Sequence, residues 1–81
     1  MEENPLSTSQ VFAVGNIEYL ISVFYNAPED TLKKIMELVD EHKIAEHKET
    51  MNYFHEMLTI KGYVEYAREF AKKYAIQSEK S

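Results

Sequence analysis

The chain has 81 residues, a net charge of −5 and no cysteine, and 44% of its residues are hydrophobic. This length supports one small domain that buries roughly 60% of its unfolded surface, and the hydrophobic fraction is enough for a folded core. The lack of cysteine excludes disulfides and thiolate metal ligands, and the acidic balance argues against nucleic acids and anionic membranes as partners, because both require basic surfaces.

The amino-terminal stretch MEENPLSTSQ is polar and acidic, so it lacks the apolar region of a secretory signal. No run of about 18 apolar residues occurs in the chain, and we therefore expect no membrane span. The default expectation is a cytoplasmic protein. We divide it into an N-terminal tail (1–7), a single helical domain (8–77) and a flexible C-terminal tail (78–81).

The segment QVFAVGNIEYLISVFY admits two interpretations. Gly15-Asn16 between two apolar runs is a signal for a β-hairpin, but a lone two-stranded hairpin is marginal in water and no third strand follows. On a helix, the same segment gathers Gly15, Glu18 and Ser22 in one polar strip. We therefore predict one helix over 8–26 and keep the hairpin as the alternative.

Both ends of this first helix carry boundary signals. Ser7 and Gln10 can form a capping box, and the Asn-Ala-Pro sequence ending at Pro28 stops the helix. Its apolar arc of about 240° is much wider than the arc of a little over 100° that a bundle helix needs, so we place this helix at the centre of the bundle. Gly15 would then allow close approach by a neighbouring helix. The inner arc contains Ala13, Ile17, Leu20, Ile21 and Phe24.

The second helix has the clearest pattern in the chain. Pro28 suits its first position, and Glu29 and Asp30 complement the positive end of the helix dipole. We expect a turn at Ile44-Ala45, although no glycine or proline marks it and the second helix could continue into the third. The apolar positions of the second helix follow the i, i+3, i+4, i+7 spacing: Leu32, Ile35, Met36 and Val39.

Two further helices are predicted over 46–61 and 63–76. Gly62 separates them, because glycine readily adopts the left-handed conformation that ends a helix. The predicted fold is all-α, a compact bundle of four short helices, or three if one junction is continuous. The side chains expected to be mostly buried are Leu20, Phe24, Leu32, Ile35, Val39, Phe54, Leu58 and Phe70.

No combination of residues indicates catalysis or metal binding. His42 and His47 are five apart and point about 140° away from each other on a helix, whereas helical zinc pairs use an i, i+4 spacing. We expect His42 and His55 to be solvated and His47 to lie at the edge of the core. The serines lie at termini, at a cap or on the polar strip, where no base activates them. We therefore predict no enzyme activity, no cofactor and no metal site.

The excess of apolar residues suggests an interface. The fourth helix is apolar over about 180°, and tyrosine is favoured in interfaces because its ring buries area while its hydroxyl stays wet. We predict a partner-binding patch of Tyr53, Ile60, Tyr63 and Tyr66, with ordinary core packing as the alternative. The predicted function is regulation or inhibition of another protein by binding. The first alternative is a structural homodimer whose interface is the apolar excess. The second alternative is a DNA-binding helical module.

Overall fold

The computed structural model describes residues 6–76, of which 83% are helical. No strand occurs within this range, so the predicted four-helix all-α bundle is confirmed and the hairpin at Gly15-Asn16 is rejected. Residues 1–5 of the predicted N-terminal tail and all of the predicted C-terminal tail (78–81) lie outside the described residues. The elements are α1 (Thr8–Ser22), a 3₁₀ turn (Phe24–Asn26), α2 (Pro28–Glu41), a second 3₁₀ turn (Ile44–Glu46), α3 (Lys48–Ile60) and α4 (Val64–Tyr74).

The first helix begins at the predicted capping box. The backbone N–H of Ser7 donates to Gln10 Oε1 at 2.7 Å, and the backbone N–H of Gln10 donates to Ser7 Oγ at 3.3 Å. These bonds satisfy donors that a helix start leaves without intrahelical partners. The helix ends at Ser22, earlier than predicted, because the chain tightens into a 3₁₀ turn and Ala27, which precedes Pro28, is forced out of the helical conformation.

Both later junctions are turns. The second helix starts at Pro28, as predicted, and ends at Glu41. Lys43 then adopts the left-handed conformation with φ of 56°, which breaks the helix and leads into the turn Ile44–Glu46. The turn at this junction is therefore confirmed, and α2 and α3 are separate helices. Gly62, with φ of 92°, ends α3 as predicted.

The helices alternate in direction. Gln10 in the first turn of α1 donates to the carbonyl of His42 just after α2, at 2.8 Å. At the opposite end, the ring of Phe24 packs on Tyr63 with 4.5 Å between centroids. Helix α1 packs against α2 and α3, while α4 packs against α3 and α2. The expectation that α1 is central is therefore wrong, because α1 occupies a corner of the bundle.

All buried side chains in the described range are apolar, and every helix contributes to them. Seven of the eight predicted core residues are buried, but Leu20 is only partly buried. A helix at a corner of the bundle buries a narrower arc of its own surface than a central helix does. Ile17 lies at the centre of the buried arc, and Leu20 lies about 60° away from Ile17. Ile44, which was assigned to a turn, is fully buried because the left-handed Lys43 redirects it inward.

Candidate protein-binding surfaces

The four residues predicted to form a partner-binding patch do not share one environment. Tyr53 and Ile60 are exposed, whereas Tyr63 and Tyr66 are partly buried. Both partly buried rings pack on Phe24, with centroid distances of 4.5 and 5.2 Å. Tyr63 and Tyr66 therefore pack against the core and still leave part of each side chain accessible.

Tyr53 lies where α3 meets α1. Hydrogen bonding to the Glu18 carboxylate, and then the negative charge of that carboxylate, raises the pKa of the Tyr53 phenol above its usual 10. Tyr53 is seven residues from Ile60 on α3, which is about 10 Å along the helix axis. It therefore lies on the same side of α3 as Ile60, but unlike Ile60 it is placed against Glu18 of α1.

Ile60 lies at the end of the bundle where α1 and α3 finish. Its side chain is 80% exposed, and Tyr25 is 68% exposed. Tyr25 directly follows Phe24, the residue on which Tyr63 packs, while Ile60 and the exposed Val64 flank Tyr63 in the chain. This grouping matters because isolated exposed hydrophobic residues are common, whereas clusters mark interaction sites. We call this cluster the end surface: Tyr25, Ile60, Tyr63, Val64 and Tyr66.

A shallow cleft of about 250 Å³ adjoins the end surface at Tyr66. It lies below the range of about 300–1,000 Å³ that is typical of small-molecule sites, so a single side chain fits it better than a cofactor does. Glu29 and Asp30, at the start of α2, give the cleft an acidic rim. The lining residues are Ala27, Pro28, Glu29, Asp30 and Tyr66.

A second apolar surface follows the outer side of α1. Phe12 is 72% exposed and Tyr19 is 65% exposed, and Val23 is exposed as well. Their spacing of i, i+7 and i+11 places all three within about 40° of the helix circumference. Gly15 and Asn16 lie between Phe12 and Tyr19 along this side. We call these five residues the α1 face.

Gly15 is exposed on the α1 face. Apart from its neighbours in the chain and the backbone of its own helix, no atom of the described residues lies within 4 Å of the position that a Cβ would occupy there. The expected close approach by another helix of the same chain is therefore absent. The signal that could have revealed the α1 face was the wide apolar arc, which contains two stripes on different sides of the helix.

A polar cluster joins the start of α1 to the α2–α3 junction. Ser9 Oγ lies 2.7 Å from His42 Nδ1, and Gln10 Nε2 lies 3.3 Å from His47 Nε2. Because an amide NH₂ can only donate, His47 Nε2 is the acceptor in this contact. All three histidines are partly buried, so His47 lies at the edge of the core, as expected, and His42 and His55 are only partly solvated.

The Ser9–His42 pair has the separation of a nucleophile and its base. Such a pair also needs a third group that orients the imidazole, and within residues 6–76 no carboxylate is hydrogen-bonded to the His42 ring. We therefore interpret the pair as a contact that holds α1 against the α2–α3 junction. In the same range, no group of three or more histidine or acidic side chains is placed to hold a metal ion.

Comparisons with protein-family models, with curated proteins and with solved structures gave no match. Within residues 6–76, no helix has the length and apolar character needed to cross a membrane.

Proposed function

We propose that this protein acts by binding another protein through the end surface and thereby regulates or inhibits that partner. The observation that supports this proposal is the exposure of Ile60, which at 80% is the highest among the large apolar side chains of the described range. Burying such a side chain is worth about 1.5–3 kcal/mol. Tyr25 and Val64, which precede and follow α3 in the chain, are exposed as well.

The end surface is partly preorganised. Tyr63 and Tyr66 are held by their ring contacts with Phe24, which is fully buried. A partner that binds these rings immobilises side chains that are already restricted. Because immobilising a free side chain costs about 0.5–1.5 kcal/mol, this restriction favours binding.

The chemistry around the cleft specifies the kind of partner. The acidic rim of Glu29 and Asp30 lies beside the ring of Tyr66, in a chain with a net charge of −5. The complementary ligand is an apolar side chain flanked by lysine or arginine. The apolar side chain fills the cleft and the basic groups face the carboxylates, which favours rapid association and correct orientation.

Affinity capture from the native host with two matched variants tests this proposal. Ile60→Asp places a charge in the end surface, whereas Thr59→Asp places the same charge on an adjacent exposed residue of the same helix turn. We expect the wild type and Thr59→Asp to retain a common partner that Ile60→Asp captures at least about fivefold less, because losing an interface anchor costs about 1–4 kcal/mol. Equal capture by both variants, with unchanged circular dichroism, would contradict the proposal.

The charge of the partner is tested separately. Replacing Glu29 and Asp30 with lysine should weaken capture, because it removes the attraction to basic groups of the partner. Salt screens that attraction in the wild type, so capture by the variant should depend less on salt concentration. The control is reversal of Glu37 and Glu41, which changes the net charge equally at the other end of α2. If both double variants weaken capture to the same extent, the effect is one of overall charge and the acidic rim does not contact the partner.

A further inference from the structure

We infer that the α1 face binds a second copy of this chain, in a homodimer whose two α1 helices cross in antiparallel orientation at Gly15. This inference goes beyond the proposed function, which uses the end surface. A second copy is the expected partner for three reasons. The α1 face is uncharged, it is self-complementary about its centre, and its area suits a small dimer interface.

The lack of charge on the α1 face favours a second copy. All five of its residues are uncharged, and Glu18 is the only charged residue among the 15 of α1. Two chains that each carry a net charge of −5 repel one another unless the contact lies where charge is sparse. The α1 face meets that requirement, and it offers no carboxylate to a basic partner.

The order of residues on α1 fits a twofold axis. In an antiparallel pair centred between Gly15 and Asn16, Phe12 of one copy faces Tyr19 of the other, so each large ring meets a ring. The centre of the contact is Gly15, where the absence of a side chain lets two helix backbones approach closely. Among residues 6–76, no atom beyond its own helix and chain neighbours approaches this position, so the opening is available to a second copy.

The polar side chains on or beside the α1 face already bond to their own helix. The Asn16 Nδ2 group donates to the carbonyl of Phe12 at 3.1 Å, and the Ser22 hydroxyl donates to the carbonyl of Tyr19 at 2.7 Å. In a helix–helix contact, one N–H of Asn16 and the Ser22 hydroxyl hydrogen therefore stay paired, while the second N–H and the Oδ1 of Asn16 must bond across the contact or to water. This lowers the desolvation penalty that polar groups otherwise impose on an interface.

The exposed area matches a small dimer interface. Phe12, Tyr19, Val23 and the adjacent exposed residue Val11 present on the order of 500 Å² of surface per chain, since a large aromatic residue can bury about 150–250 Å². Two copies would therefore bury about 1,000 Å², the area that a specific interface should reach. We expect a dissociation constant in the micromolar range, at the weak end of such interfaces.

Analytical ultracentrifugation of the full chain tests the dimer. The wild type should shift from the monomer mass of 9.5 kDa toward twice that value as its concentration rises from about 1 µM to 1 mM. Gly15→Leu should remain folded, because a Cβ at this position meets no atom of residues 6–76 apart from its own helix and chain neighbours, and it should weaken association at least about tenfold. Thr59→Leu, which adds a leucine at an exposed position of α3, should dimerise like the wild type.

Cysteine cross-linking locates the contact, because the chain has no native cysteine. Asn16→Cys lies beside the crossing point and should form a disulfide-linked dimer upon mild oxidation, since disulfides require Cα atoms within about 7 Å. Thr59→Cys should form far less. A wild type that stays monomeric at 1 mM overturns the inference, as does a dimer that Gly15→Leu leaves intact. Neither result bears on Ile60, so failure here leaves the proposed function standing and separately testable.

Discussion

At the scale of single residues, a few aromatic side chains connect the helices. Phe24 holds Tyr63 and Tyr66 at one end of the bundle. Near the opposite end, the single hydrogen of the Tyr74 hydroxyl has two acceptors within reach, the carbonyl oxygen of Met36 at 3.1 Å and Asp40 Oδ1 at 3.0 Å. These contacts join α4 to α2 and to the turn after α1, so substitutions at these rings affect more than one helix.

Phe54 and Tyr53 give a matched pair of substitutions. Phe54 is fully buried and packs edge-on against Phe70, whereas its neighbour Tyr53 is exposed. Phe54→Ala should lower the free energy of unfolding by about 3–5 kcal/mol, most of the total of a domain whose stability is on the order of 5 kcal/mol. Tyr53→Ala should change it by less than about 1 kcal/mol. Urea denaturation followed by circular dichroism measures both, and similar losses would contradict the helical phase of α3.

Tyr74 makes stability depend on alkaline pH. Burial, the hydrogen bond to Asp40 and the charge of Asp40 together raise the pKa of the Tyr74 phenol well above its usual 10. Because the folded pKa exceeds the unfolded one, its contribution is present below pH 10 and is lost progressively as pH rises above 10. Tyr74→Phe should therefore be less stable than the wild type by about 1 kcal/mol at pH 8, and the difference should shrink by pH 11. A difference that stays constant would contradict the contact with Asp40.

At the scale of helices, the sequence predicts where each helix begins and ends better than it predicts which side of the helix is buried. The Ser7–Gln10 capping box and the starts and stops at Pro28 and Gly62 depend on local backbone chemistry, and all were predictable. The placement of α1 was not predictable in this way. The inner stripe around Ile17 and the outer stripe around Tyr19 are both apolar, and only the packing of α2 and α3 decides which stripe is buried.

The two glycines should respond oppositely to the same substitution. Gly15 lies inside α1 with open space around it, so Gly15→Ala should stabilise the monomer by about 1 kcal/mol through helix propensity. Gly62 has φ of 92°, and Gly62→Ala should destabilise the fold by about 1–2 kcal/mol because a side chain strains that conformation. Thermal denaturation at low micromolar concentration, where dimerisation contributes little, measures both changes. If both variants shift the melting temperature in the same direction, either the helical conformation of Gly15 or the left-handed conformation of Gly62 is wrong.

At the scale of the whole molecule, the candidate site was only partly predictable. Periodicity identified Ile60, Tyr63 and Tyr66 as apolar, but the placement of Tyr53 against Glu18 depends on α1 lying beside α3. The exposure of Tyr25 and the cleft beside Tyr66 likewise arise where segments distant in sequence meet. Such long-range contacts leave no trace in local spacing, so the end surface as a unit became visible only in the folded chain.

The two proposed surfaces together specify a stoichiometry. An antiparallel α1 pair places the two end surfaces at opposite ends of the dimer, each on a molecule whose longest dimension is 36 Å. Two partner molecules can then bind without contact, so we expect a complex of two chains and two partners, and a one-to-one complex for Gly15→Leu. Light scattering coupled to gel filtration distinguishes these masses, and a one-to-one complex with the wild type at saturating concentrations would contradict the combined arrangement.

The most direct test of the proposed function is photo-cross-linking from the end surface in living cells of the native host. A photoreactive phenylalanine at position 60 should capture a single dominant partner protein, and the same group at position 59 should capture far less, because only Ile60 belongs to the end surface. The captured segment should contain an apolar residue flanked by lysine or arginine, as the acidic rim requires. If positions 59 and 60 give the same products, or if position 60 gives none, the end surface does not bind a protein and the proposed function is wrong.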